Sequence, residues 1–272
     1  MGGSRVRRHV LVALATVVAA VAVVEGSVMM LTHVVAPLVF THYEHNPALA
    51  SVPKCTRTRR GREADPVNVA LVGTADEVAA AFAKAGWSRA ASLSRASDIA
   101  IAESVLLRRP DSTAPVSSLF LYGRRQDIAY EREVGRSASR RHHLRLWLAD
   151  GVTDRGRPIW IGDAAYDLRA GLSHRAPVPT HHIEADVDRE RDTVFADLVA
   201  AGQLSERSRV TGLGVRFDAR NAEGDRFDTD GDLGVGVIWS GNVSHGPVTI
   251  LPDPLVVRWK NAFFAWSHRI AH

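Results

Sequence analysis

Hydrophobic residues dominate the start of the chain, and mixed apolar and polar patterns follow. An apolar stretch runs from Val10 to Phe40, directly after a basic flank that ends at Arg8. A helix that crosses a hydrocarbon core of ~30 Å needs about 20 predominantly apolar residues. The stretch from Val10 to about Leu31 meets that length. The pattern favours an N-terminal basic flank and a transmembrane anchor over residues 1–40.

Two other interpretations of this segment remain open. Ala20-Val-Ala22 has the small-x-small pattern of a signal-peptide cleavage site. An apolar helix of this kind also occurs buried inside globular domains. Signal cleavage would leave the second apolar run, Val28–Phe40, without a role, so the anchor is the preferred interpretation.

The basic residues around the apolar stretch bear on its orientation. Arg5, Arg7 and Arg8 directly precede the stretch, whereas five basic residues between Lys54 and Arg62 lie farther from its end and favour the opposite orientation. Basic flanks tend to stay in the cytoplasm, and we give more weight to the nearer flank. The sequence thus predicts a single-pass protein of the cell membrane with an extracytoplasmic C-terminal domain.

The residues after the apolar stretch are polar and then periodic. Residues 41–66 hold three prolines and a basic run without apolar periodicity, which predicts a linker. The apolar run Val67–Val72 predicts a strand at the start of a domain over 67–252. Thr74-x-x-Glu77 has the form of a capping box, which predicts a helix that Gly86 ends. A second helix is predicted over 95–107.

Strand patterns prevail beyond Pro110, with two further helices between and after them. The predicted strand pairs are 118–122 with 127–131, 141–148 with 159–166, and the late strands 235–239 and 248–251. Asp186 or Asp188 is positioned to cap a helix that ends at Gly202. Residues 253–272 form an amphipathic aromatic helix that either packs on the domain or rests at a membrane interface. Because regular βαβ alternation is lacking, we expect a single mixed α+β domain behind one transmembrane helix.

Composition excludes several classes of protein. The 272 residues contain one cysteine, Cys55, so neither an intrachain disulfide nor a cysteine-rich zinc site is expected. The net charge is only +4, and 31 of the 34 basic residues are arginines, a bias that we do not interpret as nucleic-acid binding. No P-loop or G-x-S-x-G elbow is present. The segment Asp228–Asp232 is rich in aspartate, as a calcium loop is. With Gly231 at position six of an EF-hand loop, however, the first position is Arg226 and the twelfth is Val237, so the pattern fails and a tight turn is favoured.

Five of the twelve histidines fall between 142 and 182, together with arginines and aspartates. On a strand over 141–148, alternation places His142 with the leucines on a core face, so His142 is expected to be the buried histidine of the pair. The same alternation places Arg141, His143 and Arg145 on the opposite face, where they would line a pocket.

Several functions fit this cluster. For a phosphate-bearing ligand, arginine forks bind the anion, a histidine acts as acid or base, and Asp188 orients that histidine. The candidate anion ligands are Arg124, Arg141 and Arg145. The candidate acid/base residues are His143, His181 and His182. An acid/base site for another substrate, or a structural network without a ligand, fits the same residues.

Metal binding is a further interpretation of the cluster. Neutral imidazoles suit zinc or iron, although no established ligand spacing is present. The candidate metal ligands are His143, His174, His181 and His182. The residues identify no cofactor.

Ten ordered segments between about 42 and 240 point to one known family. They are His42–Pro47, Asp65–Gly73, Ala85–Trp87, Ala114–Ser117, Gly123–Asp127, Arg140–Trp147, Gly171–His174, Thr180–Ile183, Asp186–Asp192 and Thr229–Gly231. In these segments the chain resembles the LssY C-terminal domain family of bacterial membrane-anchored proteins. The resemblance implies an apolar anchor ahead of His42 but supplies no catalytic residues. Fusions of similar proteins with membrane domains of the lipid-phosphatase and DedA types imply lipid-phosphate or envelope metabolism.

Together, these observations predict a membrane-anchored domain that binds or hydrolyses a phosphate-bearing lipid or envelope ligand. Whether the domain is an enzyme stays open. One alternative is a non-catalytic envelope module whose aromatic C-terminal helix contacts the lipid bilayer or a membrane protein. Metal-dependent hydrolysis is the other alternative.

Overall fold

The computed structural model describes residues 3–35, 49, 52–90, 118–135, 137–154, 156–175, 177, 179–212, 214, 216–240 and 246–271. The helices are α1 (Gly3–Met30), α2 (Ala75–Lys84), α3 (Val187–Ala200) and α4 (Leu255–Ala271), and a π-helical turn over Leu31–Val35 follows α1. The helix predicted over 95–107 and the segment His42–Pro47 lie outside the described residues.

Fifteen strands are described. They are β1 (Cys55–Arg57), β2 (Glu63–Pro66), β3 (Val69–Val72), β4 (Ser88–Arg89), β5 (Phe120–Leu121), β6 (Arg124–Arg125), β7 (Ile128–Val134), β8 (Ser137–Asp154), β9 (Arg157–Leu172), β10 (Pro179–Ile183), β11 (Leu204–Thr211), β12 (Arg216–Arg220), β13 (Arg226–Thr229), β14 (Asp232–Ile238) and β15 (Thr249–Ile250). Helices and mixed sheets in this order make an α+β fold, as the sequence predicts.

Helix α1 contains the long apolar segment. From Arg7 to Met30 it spans 24 residues, about 36 Å at the helical rise of ~1.5 Å per residue. None of its most apolar part is buried against the rest of the protein. By length and composition this helix is able to cross a membrane.

The main sheet has nine strands and positions the site. Its order is β15-β11-β14-β3-β9-β8-β7-β4, and β10 pairs with the C-terminal part of β9. Neighbours are antiparallel except for β14 with β3 and β11 with β15. A small sheet of order β2-β1-β5-β6 and the pair β12-β13 complete the described strands.

The main sheet is buried on both faces. On one face, Phe82 of α2 and Phe195 of α3 pack in a core with Leu144 of β8. On the other face, Leu121 of the small sheet shares a core with Trp147 of β8. Strand β3 lies between the two cores with every residue buried, which explains why its sequence is a continuous apolar run.

The helix caps follow the sequence signals. Thr74 and Glu77 form the predicted capping box at the start of α2. Asp186, rather than Asp188, caps α3 by accepting a hydrogen bond from the backbone of Arg189. Gly86 and Gly202 follow the two helices with positive φ angles of 79° and 66°, as helix-ending glycines commonly do.

The linker predicted over 41–66 is wrong from Val52 onward. Strands β1 and β2 pair in this segment, and Val52 and Ala64 are buried in the core under the small sheet. Strands of three and four residues are too short to show an apolar period, so their core positions escaped the sequence pattern.

The two strands predicted to form a hairpin over 118–131 do not pair with each other; each pairs with another strand. Strand β5 turns directly into β6 through Tyr122 and Gly123, whose φ angles of 51° and 73° suit a two-residue hairpin turn. The second predicted arm belongs to β7, which pairs with β8 and buries Ile128 and Tyr130 in the helix-side core. Burial of these two side chains, rather than proximity in sequence, sets the pairing.

The aromatic face of α4 is not buried against the domain. Leu255, Trp259 and Trp266 are exposed, Trp259 by 73%. The helix packs instead through Val257 and Lys260, both fully buried.

Candidate functional site

The polar cluster is built on the β8–β9 hairpin. The antiparallel register places Arg141 opposite Asp167 and Arg145 opposite Asp163. Arg141 Nε donates to Asp167 Oδ2 at 3.0 Å, and Arg145 Nη1 donates to Asp163 Oδ2 at 2.6 Å. Opposite charges directly across a strand pair favour this register. The hairpin therefore fixes both guanidinium groups.

Strand alternation divides β8 as the sequence predicts. Leu144 and Leu146 face the helix-side core, and His142 lies on that face, 2.8 Å from Glu190. The other face carries Arg141, His143 and Arg145, all buried. The division into two faces is confirmed, but the greater burial expected of His142 is wrong: His143 is fully buried, whereas 15% of the His142 side chain is exposed. The small sheet covers the face of His143, and Trp147 continues that face into the core beneath the sheet.

This face borders a small cavity of about 50 Å³, which is large enough for a small ion or a few waters. Its lining includes Arg141, His143, Arg145, Asp167, His181 and Asp65. The loop after β12 closes it, where Asn221 donates from Nδ2 to Asp65 Oδ1 at 3.1 Å. The structure thus brings together four of the predicted residues: Arg141, His143, Arg145 and His181.

His143 lies at the centre of the network. Its Nε2 is 3.0 Å from Arg145 Nη1, and its Nδ1 is 3.1 Å from Asp167 Oδ1. Because arginine only donates hydrogen bonds, Nε2 accepts, and the imidazole proton belongs on Nδ1 towards Asp167. Burial lowers the pKa of His143, which agrees with a neutral ring.

The carboxylates on β9 differ in charge state. Burial outweighs the attraction of Arg145 and raises the pKa of Asp163 to about 7. Burial also opposes ionisation of Asp167, but His143, then His181 and Arg141, hold its pKa well below the usual value. Asp167 is therefore a fixed negative charge beside the cavity. Asp163 gains a proton as the pH falls through about 7.

His181 differs from the other imidazoles of the cavity. The described part of the chain supplies no hydrogen-bond partner for its ring, although it lines the same space as Arg141 and His143. Burial lowers its pKa against the attraction of Asp167, so the ring is neutral at pH 7. A neutral imidazole without a partner beside a cavity has the properties of a general base.

His182 belongs to a different cluster. It is buried, and its Nδ1 lies 2.6 Å from Asp225 Oδ1, while His174 Nε2 lies 3.3 Å from the same oxygen. The four histidines predicted as metal ligands therefore do not converge. His143 and His181 border the cavity, and His174 and His182 meet at Asp225, because neighbouring residues on β10 point to opposite faces.

Asp188 does not orient a histidine, in contrast to the prediction. Its carboxylate accepts hydrogen bonds from Thr229 Oγ1 at 2.7 Å and from Arg191 Nη1 at 3.2 Å. Its position in the first turn of α3 directs it to the acidic turn after β13 rather than to β10. The pKa of Asp188 is raised by burial.

The acidic turn over 228–232 is neutralised by protein cations, not arranged as a calcium loop. Arg191 Nη1 donates to Asp230 Oδ1 at 2.8 Å, and Lys260 of α4 pairs with Asp232. Gly231, with a φ angle of 74°, forms the tight turn that the sequence predicts.

Arg124 lies away from the cavity lining. It pairs with Asp127 at 3.1 Å and donates to the carbonyl oxygen of Leu148. Its role at that place is to tie the β5–β6 hairpin to β8. The prediction that it holds an anion together with Arg141 and Arg145 therefore lacks a geometric basis.

Within the described ranges, two groups of residues have the spacing of metal ligands. In the first, Asp65, His143 and Asp163 surround Arg145, whose Nη1 lies within 3.5 Å of an atom of each. The guanidinium is thus the cation of that group. The second group consists of His174, His182 and Asp225, without a protein cation between their ligand atoms in the described contacts.

Four aspartates of the two clusters are not among the residues that the sequence patterns single out: Asp163, Asp167, Asp65 and Asp225. Asp163 and Asp167 are four positions apart, so a strand that continues the predicted strand 159–166 would place both on the same face. That spacing could have indicated them. Asp65 and Asp225 come from β2 and from the turn before β13, and no local pattern relates them to β8 or β10.

The layered sheet and its buried arginine–aspartate ladder define an α+β domain preceded by a helix that is able to cross a membrane. The family model of the LssY C-terminus matches residues 49–233, about two thirds of the chain. The chain therefore belongs to the LssY C-terminal family. No curated protein and no solved structure matches it.

Proposed function

We propose that this domain binds a small phosphate-bearing ligand, from a lipid or another envelope component, in the cavity beside β8. One observation carries the proposal: two buried arginines border the same small space as the His181 imidazole, which has no hydrogen-bond partner among the described residues. Arginine forks match the geometry of phosphate oxygens, and an imidazole adds a hydrogen bond or a proton.

The arginines are already oriented. Asp167 and Glu131 hold Arg141 at 3.0 Å each, and Asp163 holds Arg145, so both guanidinium groups are fixed in orientation beside the cavity. The same carboxylates offset the positive charge. We therefore expect a dissociation constant on the order of 1 mM for inorganic phosphate alone.

His181 is the residue that would serve hydrolysis. Its neutral ring takes a proton from the attacking water as the oxygen of that water bonds to phosphorus. The bond from phosphorus to the ester oxygen breaks, and the leaving oxygen takes up a proton from solvent water while the His181 imidazolium returns its proton to solvent, so inorganic phosphate and an alcohol are released. Arg141 and Arg145 would stabilise the charge that develops on the phosphate oxygens.

Replacing His181 with alanine is expected to weaken binding of inorganic phosphate about tenfold, because one hydrogen bond to a charged ligand is lost. The measurement is isothermal titration of the full chain in detergent. Arg189→Ala is the matched control, since this arginine is 70% exposed and pairs with Glu184 away from the cavity. Equal binding by the His181→Ala variant and the wild type would contradict the proposal.

We further propose that α1 is a single-pass anchor and that the domain faces away from the cytoplasm. Arg7 and Arg8 lie at the start of the apolar segment and favour a cytoplasmic N-terminus. A reporter enzyme that is active only outside the cytoplasm, fused after His272, should be active. An inactive fusion of a well-expressed protein would reverse the orientation.

A non-catalytic envelope module is the second candidate function, and the exposed aromatic face of α4 favours it. Leu255, Trp259 and Trp266 form that face. Phe264 of α4 stacks on Phe217 of β12, and β12 contacts the π-helical turn that follows α1. This places α4 near the end of the apolar helix, where an aromatic face would meet a lipid bilayer. Absence of phosphate binding by the wild type would favour this module.

A further inference from the structure

His174, His182 and Asp225 come from three different places in the chain and meet in one cluster. His174 follows β9, His182 lies on β10, and Asp225 precedes β13. Their ligand atoms all lie within 4.8 Å of one another. The two imidazole rings have their centroids 4.7 Å apart, and each directs a nitrogen at Asp225 Oδ1.

The loop that carries Asp225 is held rigidly. Asn221 Oδ1 accepts hydrogen bonds from the backbone of Glu223 at 3.0 Å and of Asp225 at 2.9 Å. The backbone N–H of His174 donates to the Glu223 carbonyl oxygen at 3.0 Å, which joins the two segments. The cluster is therefore preorganised, as binding sites require.

Gly224 allows the close approach between the loop and His174. Its φ angle is +89°, and a Cβ atom there would lie 2.9 Å from His174 Cβ. Any side chain at this position would strain the backbone and push the histidine away from Asp225.

We propose that His174, His182 and Asp225 bind a divalent transition-metal ion, with zinc as the first choice. Two imidazoles and one carboxylate are the protein ligands of several open zinc sites. Ligand atoms of a tetrahedral zinc ion lie about 3.3 Å apart at the usual bond lengths, which matches the contact between His174 and Asp225. The shorter contact of His182 is a hydrogen bond, and the ion replaces its proton.

The cluster leaves a coordination position for water. His174 is 54% exposed, whereas His182 and Asp225 are buried. The ion would therefore be held on its inner side by His182 and Asp225 and would be open to solvent on the side of His174. Calcium and magnesium prefer shells made of oxygen ligands, and two imidazoles therefore select against them.

This site is separate from the phosphate proposal. His181 borders the cavity beside β8, and the neighbouring His182 bonds to Asp225, so adjacent residues of β10 serve the two clusters. Substitutions at the two histidine clusters consequently test the two proposals independently.

The test is zinc binding by the untagged full chain in detergent, after removal of metal with a chelator. We expect one zinc per chain by elemental analysis after dialysis, a higher melting temperature with zinc, and no shift with magnesium or calcium. Loss of a residue that hydrogen-bonds to a metal ligand typically weakens metal binding roughly 10–100-fold. His174→Ala removes a ligand itself and should weaken zinc binding by more than that. Because His174 is half exposed, this variant is expected to fold.

Asp225→Asn and His181→Ala complete the test. Asp225→Asn should reduce zinc binding as well, and His181→Ala should retain it. Cobalt bound to the wild type should give the intense visible absorption of a four-coordinate site, and His174→Ala should not. Zinc content in the His174→Ala variant equal to the wild type, or no zinc retained by either, would overturn the proposal. Neither outcome would affect phosphate binding in the cavity.

Discussion

Replacing Arg145 with methionine is expected to destabilise the domain by about 3–5 kcal/mol. The guanidinium lies within hydrogen-bonding distance of Asp163, His143 and Asp65 and is almost inaccessible to solvent. Methionine fills part of the volume but leaves Asp163 and Asp65 without their cation. Burial of an unpaired carboxylate is costly, so the free energy of unfolding should fall steeply. Urea denaturation followed by tryptophan fluorescence measures the change.

The pair Arg145 and Asp163 also offers a matched control. Adding Asp163→Asn to Arg145→Met replaces a carboxyl group that has lost its cation and should recover part of the lost stability at alkaline pH. Alkaline pH is needed because the pKa of Asp163 is already about 7 beside Arg145 and rises when Arg145 is removed. Arg189→Ala, an exposed arginine, should cost less than about 1 kcal/mol. If Arg145→Met lowers the free energy of unfolding by less than about 1 kcal/mol, the pairing of Arg145 with Asp163 does not stabilise the fold.

Replacing Arg191 with methionine is expected to cost about 3–5 kcal/mol for the same reason. Arg191 pairs with Asp188 and Asp230 and donates to the carbonyl oxygen of Asp232 at 3.2 Å. Through Asp230 and Asp232 it shares the acidic turn with Lys260 of α4. Its loss therefore weakens the attachment of α3 and α4 to the turn together. Denaturant unfolding and protease sensitivity of α4 measure the two consequences.

Asp188 supplies the control for this second prediction. Asp188→Asn in the Arg191→Met background should recover part of the lost stability at alkaline pH, where the Asp188 carboxyl group would have to ionise without its cation. In the wild-type background, Asp188→Asn should leave phosphate binding unchanged, since Asp188 bonds to Thr229 and Arg191 rather than to the cavity histidines. Loss of phosphate binding without loss of stability would instead assign Asp188 to the ligand site.

Local signals in the sequence predicted much of the fold. The Thr74–Glu77 capping box, the alternation along β8 and the helical spacing after Pro254 each depend on residues close together in the chain. The apolar N-terminal segment likewise gives a helix long enough to cross a membrane. These features were readable because secondary structure fixes the spacing of side chains on a face.

The candidate site was only half predictable. Arg141, His143 and Arg145 follow from one strand period, but their partners Asp163 and Asp167 require the β8–β9 register. Sequence proximity suggested that Asp188 serves His181 or His182, yet the first turn of α3 points it at the acidic turn. The short strands β1 and β2 lie in the segment that the sequence predicts as a linker, because three or four residues show too little periodicity to indicate a strand.

The sequence by itself determined the class of the domain, its apolar helix and the polar face of β8, since each depends on neighbouring residues and their period. Only the tertiary structure decided which charges meet. Asp65 reaches Arg145, and Asp225 reaches His174 and His182, across distances in sequence that no local pattern records. It also separated His181 from His182, because opposite faces of one strand open onto different surroundings.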